Sequence, residues 1–199
     1  ASATAFSCSA TNTKQSATIT IAVPTTGTAP YQYSFNGSGY TNDNTLTLND
    51  NGADQTISYS VKDTQGCVYT NSKTVLKLDS PTDLSFSAPA VTCTATTTTV
   101  TATATNGVGI LNYAITFPIT AATSNTTGVF TGLLPGAYIF NVTDANGCYY
   151  SESFVVNPVT PIAVIATKLS DVDCFGNATG SIRYNLSGFG STYSYSVNG

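Results

Sequence analysis

The sequence predicts an all-β fold, and two observations about its composition and periodicity support this. Thr, Ser, Ala, Val and Tyr dominate the chain, whereas strong helix formers are sparse. In the stretch ATITIAV (17–23), Ile19, Ile21 and Val23 fall on one side and mostly hydroxyl-bearing residues on the other. This period of two is typical of a sheet with one buried face and one face in water.

The chain also repeats itself. ISYSVKDTQGC (57–67) aligns with YIFNVTDANGC (138–148), 81 residues further on. A second cysteine follows each segment by 26 residues, at Cys93 and Cys174, and Cys8 begins the same series. A period of this size suits one small β-sandwich. We therefore predict two nearly complete modules and a truncated third, here called repeat 1 (1–80), repeat 2 (81–160) and repeat 3 (161–199).

Each repeat shows the same order of strands after its first cysteine. An alternating strand comes first and a Tyr-bearing strand second; the alternating strands are 17–23, 99–105 and 181–187, and the Tyr-bearing strands are 31–37, 111–117 and 192–199.

The end of repeat 2 contains a corner and a turn. LLPGAYIFNV (133–142) resembles the corner that enters the sixth strand of fibronectin-type and immunoglobulin-like sandwiches. Tyr138 is accordingly predicted to be a buried anchor of the fold and not a ligand contact. Asn146 and Gly147 both tolerate positive φ, which predicts a tight hairpin turn between the last two strands.

Two proline-bearing stretches, 78–84 and 157–164, separate the repeats. Proline blocks ladder hydrogen bonds and stiffens a connection. We therefore expect short, stiff linkers and a rod of tandem immunoglobulin-like sandwiches.

The charge and hydropathy of the chain exclude two classes of partner. Six Lys and Arg stand against ten Asp and Glu, so no basic patch is available to neutralise nucleic-acid phosphates. No apolar run approaches the roughly 20 residues that span a bilayer, so membrane insertion is not expected. We expect a soluble piece of a longer chain.

Catalysis is not expected either. Without His, the chain has no Ser-His or Cys-His pair and no His-rich zinc site. The best carboxylate pair is Asp171 and Asp173, which alternate onto one side of an extended strand and could share an acid-base task. The alternative, that they solvate the turn before Cys174, is favoured.

No cofactor is predicted, although one acidic segment offers weak calcium candidates. The stretch 41–55 supplies Asp43, Asp50 and Asp54 among Asn and Gly residues, and calcium prefers such oxygen ligands. The spacing lacks the distal Glu of a full calcium loop. The alternative is that these side chains cap turns by accepting hydrogen bonds from their own backbone.

Several tyrosines are candidates for weak carbohydrate contact, because exposed aromatic rings stack on sugars. In alternating strands about half of such rings should lie in the core. The candidates are Tyr31, Tyr33, Tyr40, Tyr149 and Tyr150.

Three sets of residues resemble the SprB-type repeats of Bacteroidota gliding-motility and cell-surface adhesins, over nearly the whole chain. The opening matches at Cys174, Gly176, Gly180, Ser181 and Ile182, the middle at Ala29, Pro30, Tyr31 and Tyr33, and the end at Leu133, Gly136, Tyr138, Asp144, Gly147 and Cys148. The chain departs from the family pattern in having no Trp and in lacking the glycine turn after Cys8 and Cys93. Repeat 1 also carries NDNGADQT (49–56) where the family has its Leu-x-x-Gly-x-Tyr corner. The resemblance implies export by the type IX secretion system, display on the cell surface, and a role in adhesion or gliding.

The five cysteines suggest disulfides in an oxidising compartment, with the odd one explained by truncation of the array. Pairing within repeats, Cys8 with Cys67 and Cys93 with Cys148, is the first choice and would stabilise each by about 4 kcal/mol in the chain-entropy model. A simple sandwich, however, places these cysteines at opposite ends, about 20 Å apart. A bridge between adjacent repeats, Cys8 with Cys148, is therefore the rival. Buried free thiols are the remaining alternative.

Three hypotheses for the function follow. In the first, the repeats make weak contacts to polysaccharide or another external surface, and avidity along many repeats replaces affinity. In the second, they are a stalk without a ligand of their own, and in the third, an accessory domain of a secreted enzyme. We expect an extracellular segment of a surface adhesin whose other partners are further repeats of the same chain.

Overall fold

The computed structural model describes residues 1–190 and 192–196 and confirms the all-β class. Seventeen strands and one short 3-10 turn (Ile119–Ala121) make up the regular structure of this part of the chain. The strands are β1 (Ser2–Ala3), β2 (Ser7–Cys8), β3 (Lys14–Gln15), β4 (Ala17–Thr20), β5 (Gln32–Phe35), β6 (Thr45–Leu48), β7 (Gln55–Lys62), β8 (Val68–Val75), β9 (Asp83–Ser87), β10 (Thr98–Thr105), β11 (Asn112–Phe117), β12 (Thr123–Asn125), β13 (Val129–Leu133), β14 (Gly136–Thr143), β15 (Tyr149–Val156), β16 (Ala163–Ser170) and β17 (Ser181–Ser187).

Repeat 1 consists of two antiparallel three-stranded sheets and a small hairpin. The strand orders are β1-β4-β6 and β5-β7-β8, and β2 pairs with β3 beside them. Ile19 from the first sheet and Ile57 from the second lie in one apolar cluster, so the two sheets pack face to face. A second cluster holds Tyr33, Tyr59 and Val61.

Repeat 2 also consists of two antiparallel sheets, one of three strands in the order β13-β10-β9 and one of four in the order β12-β11-β14-β15. Both sheets contribute to one apolar core, which includes Val100 and Phe130 from the first and Ile115, Phe140 and Val142 from the second. The large hydrophobic side chains of this core are almost completely excluded from water. Burial of this apolar area is the main force that holds the two sheets together.

Repeat 3 contributes one antiparallel hairpin, β16 with β17. Most of its apolar side chains are exposed, for example Val164 at 57% and Ile182 at 58%. The predicted strand at 192–199 is not formed over 192–196, and residues 197–199 lie outside the described residues. Within the described residues, no helix is long and apolar enough to cross a membrane.

One local prediction needs correction. The strand predicted over 17–23 ends at Thr20, so Ile19 and Ile21 are buried as expected but Val23 is 64% exposed. The chain leaves the sheet before Pro24, which has no amide hydrogen to donate to a neighbouring strand. In the stretch 78–84, predicted as a short, stiff linker, Leu78 and Pro81 are both buried, and β9 begins within the stretch at Asp83.

Candidate functional site

The chain contains two turns of the type Asp-x-x-Gly-Cys, and one of them forms the contact that joins repeats 1 and 2. The second of them, which we call turn 2 (144–148), connects β14 to β15, as the sequence predicted. The Asp144 carboxylate oxygen Oδ1 accepts hydrogen bonds from the amides of Asn146 and Cys148, both at 2.9 Å. The amide of Gly147 donates to the Asp144 carbonyl at 3.1 Å. The carboxylate therefore satisfies backbone donors that would otherwise be buried without partners.

One detail of this turn differs from the prediction. Gly147 has a φ of +77°, but Asn146 does not adopt positive φ. A single left-handed residue is sufficient because the ladder closes one residue later, where the Asp144 amide donates to the Cys148 carbonyl at 2.9 Å. Only Gly147 therefore requires the conformational freedom that glycine provides.

Turn 2 docks on repeat 1, where Cys148 forms a disulfide with Cys8. The two Cα atoms lie 4.8 Å apart, across a sequence separation of 140 residues. Cys148 is fully buried and packs with Phe6 and Ile19 in the core of repeat 1. The amide of Cys8 also donates to the Asn146 carbonyl at 2.9 Å. We call this contact the cysteine joint.

The disulfide differs from the first choice made from the sequence, which paired Cys8 with Cys67 and Cys93 with Cys148. Cys8 pairs with Lys14, just before β4 begins. The turn that carries Cys67 instead contacts Thr28, beyond the far end of β4, where the Thr64 amide donates to the Thr28 carbonyl. The two cysteines of repeat 1 therefore lie at opposite ends of the repeat, too far apart for a bond. The rival pairing between adjacent repeats is the one present.

Asn12, at the tip of the β2–β3 hairpin, adds a second contact to the cysteine joint. Its side-chain Nδ2 donates to the Tyr149 carbonyl at 2.8 Å, and the Tyr149 amide donates to its Oδ1 at 2.9 Å. The side-chain amide thus pairs with β15 as a strand would. Asn12 has a φ of +58°, a conformation that Asn tolerates better than most residues. Sequence reasoning missed Asn12, since no local pattern identifies a partner 137 residues away.

The matching turn of repeat 1, turn 1 (63–67), has the same internal geometry, but within the part of the chain that the structure describes no neighbouring repeat docks on it. Asp63 Oδ1 accepts from the amides of Gln65 and Cys67, at 3.0 and 2.9 Å. Its Oδ2 accepts from the Thr28 amide at 3.1 Å. This last hydrogen bond is the main cause that holds the pKa of Asp63 below its ordinary value. Cys67 is exposed and free.

The two remaining cysteines are also free and exposed. Cys93 follows β9, and Cys174 lies in a turn closed by the Asn177 amide donating to its carbonyl. Each is the first cysteine of its repeat, in the position that Cys8 holds in repeat 1.

The calcium candidates do not converge on a common site. Asp43 accepts hydrogen bonds from the amide and hydroxyl of Thr45, and Asp54 accepts from the Lys77 amide. Asp50 already holds a cation, the Lys14 ammonium, at 2.8 Å. Among the residues that the structure describes, no group of three or more His, Cys, Asp or Glu could hold a metal ion.

The carboxylates of Asp171 and Asp173 have separate partners. Asp171 forms an ion pair with Lys168 at 2.9 Å. Asp173 accepts hydrogen bonds from the hydroxyl of Thr179 and the side-chain Nδ2 of Asn177. The Thr179 hydroxyl is the main reason that the pKa of Asp173 is lowered. Both side chains therefore organise the turn between β16 and β17.

The tyrosine candidates are distributed over different environments. Tyr33 is buried in repeat 1, whereas Tyr31, Tyr149 and Tyr150 are partly buried. The Lys62 ammonium lies 4.5 Å above the Tyr40 ring. Tyr138 is buried at 5% exposure and donates from its hydroxyl to the Leu134 carbonyl at 2.8 Å.

A groove of about 570 Å³ lies beside turn 1, bordered by Ala1, Gly27 and Tyr31. In repeat 2 the chain itself covers the matching glycine. Pro81 lies against Gly107, and the Gly107 amide donates to the Asp79 carbonyl at 3.0 Å. Because the preceding chain covers the matching position in repeat 2, the groove in repeat 1 is not evidence of a ligand site.

No family model matches the chain, and no curated protein matches it with a significant score.

Proposed function

We propose that this chain is a repeat segment of a large secreted cell-surface adhesin, in which tandem immunoglobulin-like sandwiches form an extended rod for surface attachment and gliding motility. The observation that carries the proposal is the cysteine joint. A disulfide and a side-chain clamp between neighbouring repeats fix one repeat on the next, as a protein that transmits force along its length requires.

The same bond supports an extracellular compartment. Disulfides persist in oxidising surroundings and are rare in the cytosol. The Cys8–Cys148 bond therefore favours an extracellular location. Export by the type IX secretion system and display on the outer surface belong to the proposal through the resemblance to SprB-type repeats.

The outer face of repeat 1 supports a polar contact surface. Hydroxyls pair across β7 and β8, where Thr56 meets Thr74 at 2.8 Å and Ser60 meets Thr70 at 3.0 Å. With charged residues at 8% of the sequence, this surface is polar without being strongly charged. Such a surface suits hydrogen bonding to polysaccharide hydroxyls, and the proposal includes neither catalysis nor a cofactor.

A passive stalk is the second candidate, and the tyrosines favour it. The candidate rings do not form one exposed row, because Tyr33 is buried and Tyr40 lies under Lys62. A stalk would hold a distal binding head away from the cell and would have no ligand of its own.

Binding to polysaccharide as a function of repeat number tests the proposal. The chain, and a longer version with additional copies of repeat 2, are titrated onto agar, chitin and other insoluble polysaccharides. If the repeats are adhesive, the longer chain should bind the polysaccharide at least tenfold more tightly than the natural chain, because each added contact acts through avidity. An unrelated β-sandwich rod of equal length is the control. Equal retention of both chains at the level of this control would overturn the adhesive role and leave the stalk.

A further inference from the structure

We propose that the cysteine joint is one link of a continuous series, in which the first cysteine of each repeat is bonded to the Asp-x-x-Gly-Cys turn of the next. Cys67, Cys93 and Cys174 are then the open halves of three further joints. The partner of Cys67 is a cysteine hairpin of another repeat of this kind, and the partners of Cys93 and Cys174 are Asp-x-x-Gly-Cys turns of other repeats. This inference stands independently of adhesion.

Turn 1 is already shaped for docking. In both turns the Asp carboxylate accepts from the backbone amides two and four residues later, at 2.9–3.0 Å. In both, the amide after the Asp donates to a loop carbonyl of the same repeat, from Thr64 to Thr28 and from Ala145 to Val108. The Asp-x-x-Gly-Cys turn therefore has its shape before any neighbour is present.

The two turns differ in burial. Cys148 has no exposed surface, whereas Cys67 is exposed and the next residue, Val68, is 53% exposed. An added Cβ at Gly147 would lie 3.2 Å from the Cys8 carbonyl oxygen, but at Gly66 it would meet nothing within 4 Å. The same structural unit is thus covered in one repeat and bare in the other.

The first cysteine of repeat 2 is placed in its repeat as Cys8 is placed in repeat 1. Phe6 and Val91, each two residues before a first cysteine, are both buried in the core of their repeat. Cys8 and Cys93 therefore leave their cores at corresponding positions. After Cys8 the chain forms the β2–β3 hairpin that holds turn 2, whereas the chain around Cys93 closes a short turn from Thr92 to Ala95 and carries no neighbour.

The bond itself needs an oxidant, which is a small-molecule disulfide such as oxidised glutathione. One cysteine thiolate attacks this disulfide and releases one glutathione thiol. The second cysteine thiolate then attacks the mixed disulfide and releases the other. Two protein thiols are oxidised and one glutathione disulfide is reduced to two thiols.

The test inserts a second copy of residues 81–160 directly after residue 160 of the full chain. Thr94→Ser and Tyr150→Phe in the inserted copy mark its cysteine peptides. After folding in a glutathione redox buffer, peptides are mapped without reduction. We expect two bonds, Cys8 to the original Cys148 and the original Cys93 to the inserted Cys148, with Cys67 still free.

The matched control carries Cys148→Ser in the inserted copy only, and here the original Cys93 should return to a free thiol. A free Cys93 in the unmutated insertion chain, or a bond between Cys93 and Cys148 of the same copy, would overturn the series while Cys8–Cys148 remains intact. If the insertion chain also lacks the Cys8–Cys148 bond, it has not folded. The proposed series is then tested at Cys67 of the natural chain.

That second measurement uses a peptide of residues 4–15, supplied as its mixed disulfide with glutathione. At equilibrium with the natural chain, we expect at least tenfold more peptide on Cys67 than on Cys93 or Cys174. The same peptide with Asn12→Ala lacks the side-chain clamp and should lose most of this preference. Equal amounts of peptide on the three cysteines would overturn the assignment of Cys67.

Discussion

At the scale of single residues, Gly147 has two roles that can be separated. Its φ of +77° is needed by the turn, and its missing Cβ lets the Cys8 carbonyl approach closely. Gly66 in turn 1 has a φ of +85° and open space around it. Gly66 of repeat 1 is therefore a control for Gly147 of repeat 2, because it has the same conformation without the close neighbour.

Replacing each glycine by Ala measures the two roles. Gly66→Ala should lower the free energy of unfolding by about 1 kcal/mol, the usual cost of a left-handed residue with a Cβ. Gly147→Ala should cost about 2–3 kcal/mol, because the Cβ also displaces Cys8. Gly147→Ala should also speed the reduction of the Cys8–Cys148 bond by dithiothreitol, whereas Gly66→Ala should leave the rate of that reduction unchanged. Equal effects on stability and reduction would contradict the close approach at Gly147.

At the scale of elements, the β2–β3 hairpin is held to its own repeat by Asp50. The carboxylate pairs with Lys14 of β3 at 2.8 Å and accepts hydrogen bonds from the amides of Gly52 and Leu78, both at 3.2 Å. Its side chain is only 1% exposed. The hydrogen bond from Lys14 is the main cause that lowers the pKa of Asp50, and the backbone amides add to it.

The lowered pKa predicts a specific dependence of stability on pH. Because the folded pKa of Asp50 lies below its unfolded value of about 3.9, the carboxylate stabilises the fold above that pH. This contribution is lost as the pH falls through the folded pKa. Asp50→Asn should therefore cost about 2 kcal/mol at pH 7 and progressively less below pH 4, measured by urea unfolding. Lys14→Gln should partly reduce the slope of the free energy of unfolding against pH in this acid range. An unchanged slope in both variants would contradict the stabilising role of the Asp50 carboxylate.

Local features of the fold were predictable from the sequence, and the contacts between distant elements were not. The alternation in 99–105 and the Asn-Gly pair of turn 2 depend on neighbouring residues, so period and turn chemistry identified them. The disulfide partner of Cys8 depends on which end of the sandwich each cysteine occupies and on the docking of a second repeat. Asn12 carries no local signal, since its clamp forms only against Tyr149 of that repeat. Asp43, Asp50 and Asp54 could be recognised as turn residues, but only the fold shows that they face separate partners.

At the scale of the whole molecule, the cysteine joint changes the path that force takes through the chain. A load applied at the two ends passes through the disulfide and bypasses the residues between Cys8 and Cys148. In the proposed series, the loop closed by each bond would overlap the next, since Cys93 lies inside the loop closed by Cys8 and Cys148. An array bonded in this way resists extension even when individual sandwiches unfold, as suits a tether under shear.

Single-molecule pulling from the two ends of the chain tests this mechanical role. With the bond intact, only the residues before Cys8 and after Cys148 can lengthen. Reduction should release the roughly 140 residues between them, which at about 3.5 Å each adds about 490 Å of contour length. The Cys8→Ser/Cys148→Ser variant should give the longer value in both oxidising and reducing buffer. If the natural chain extends equally in the two buffers, the joint does not carry the load, and force passes through the folded repeats instead.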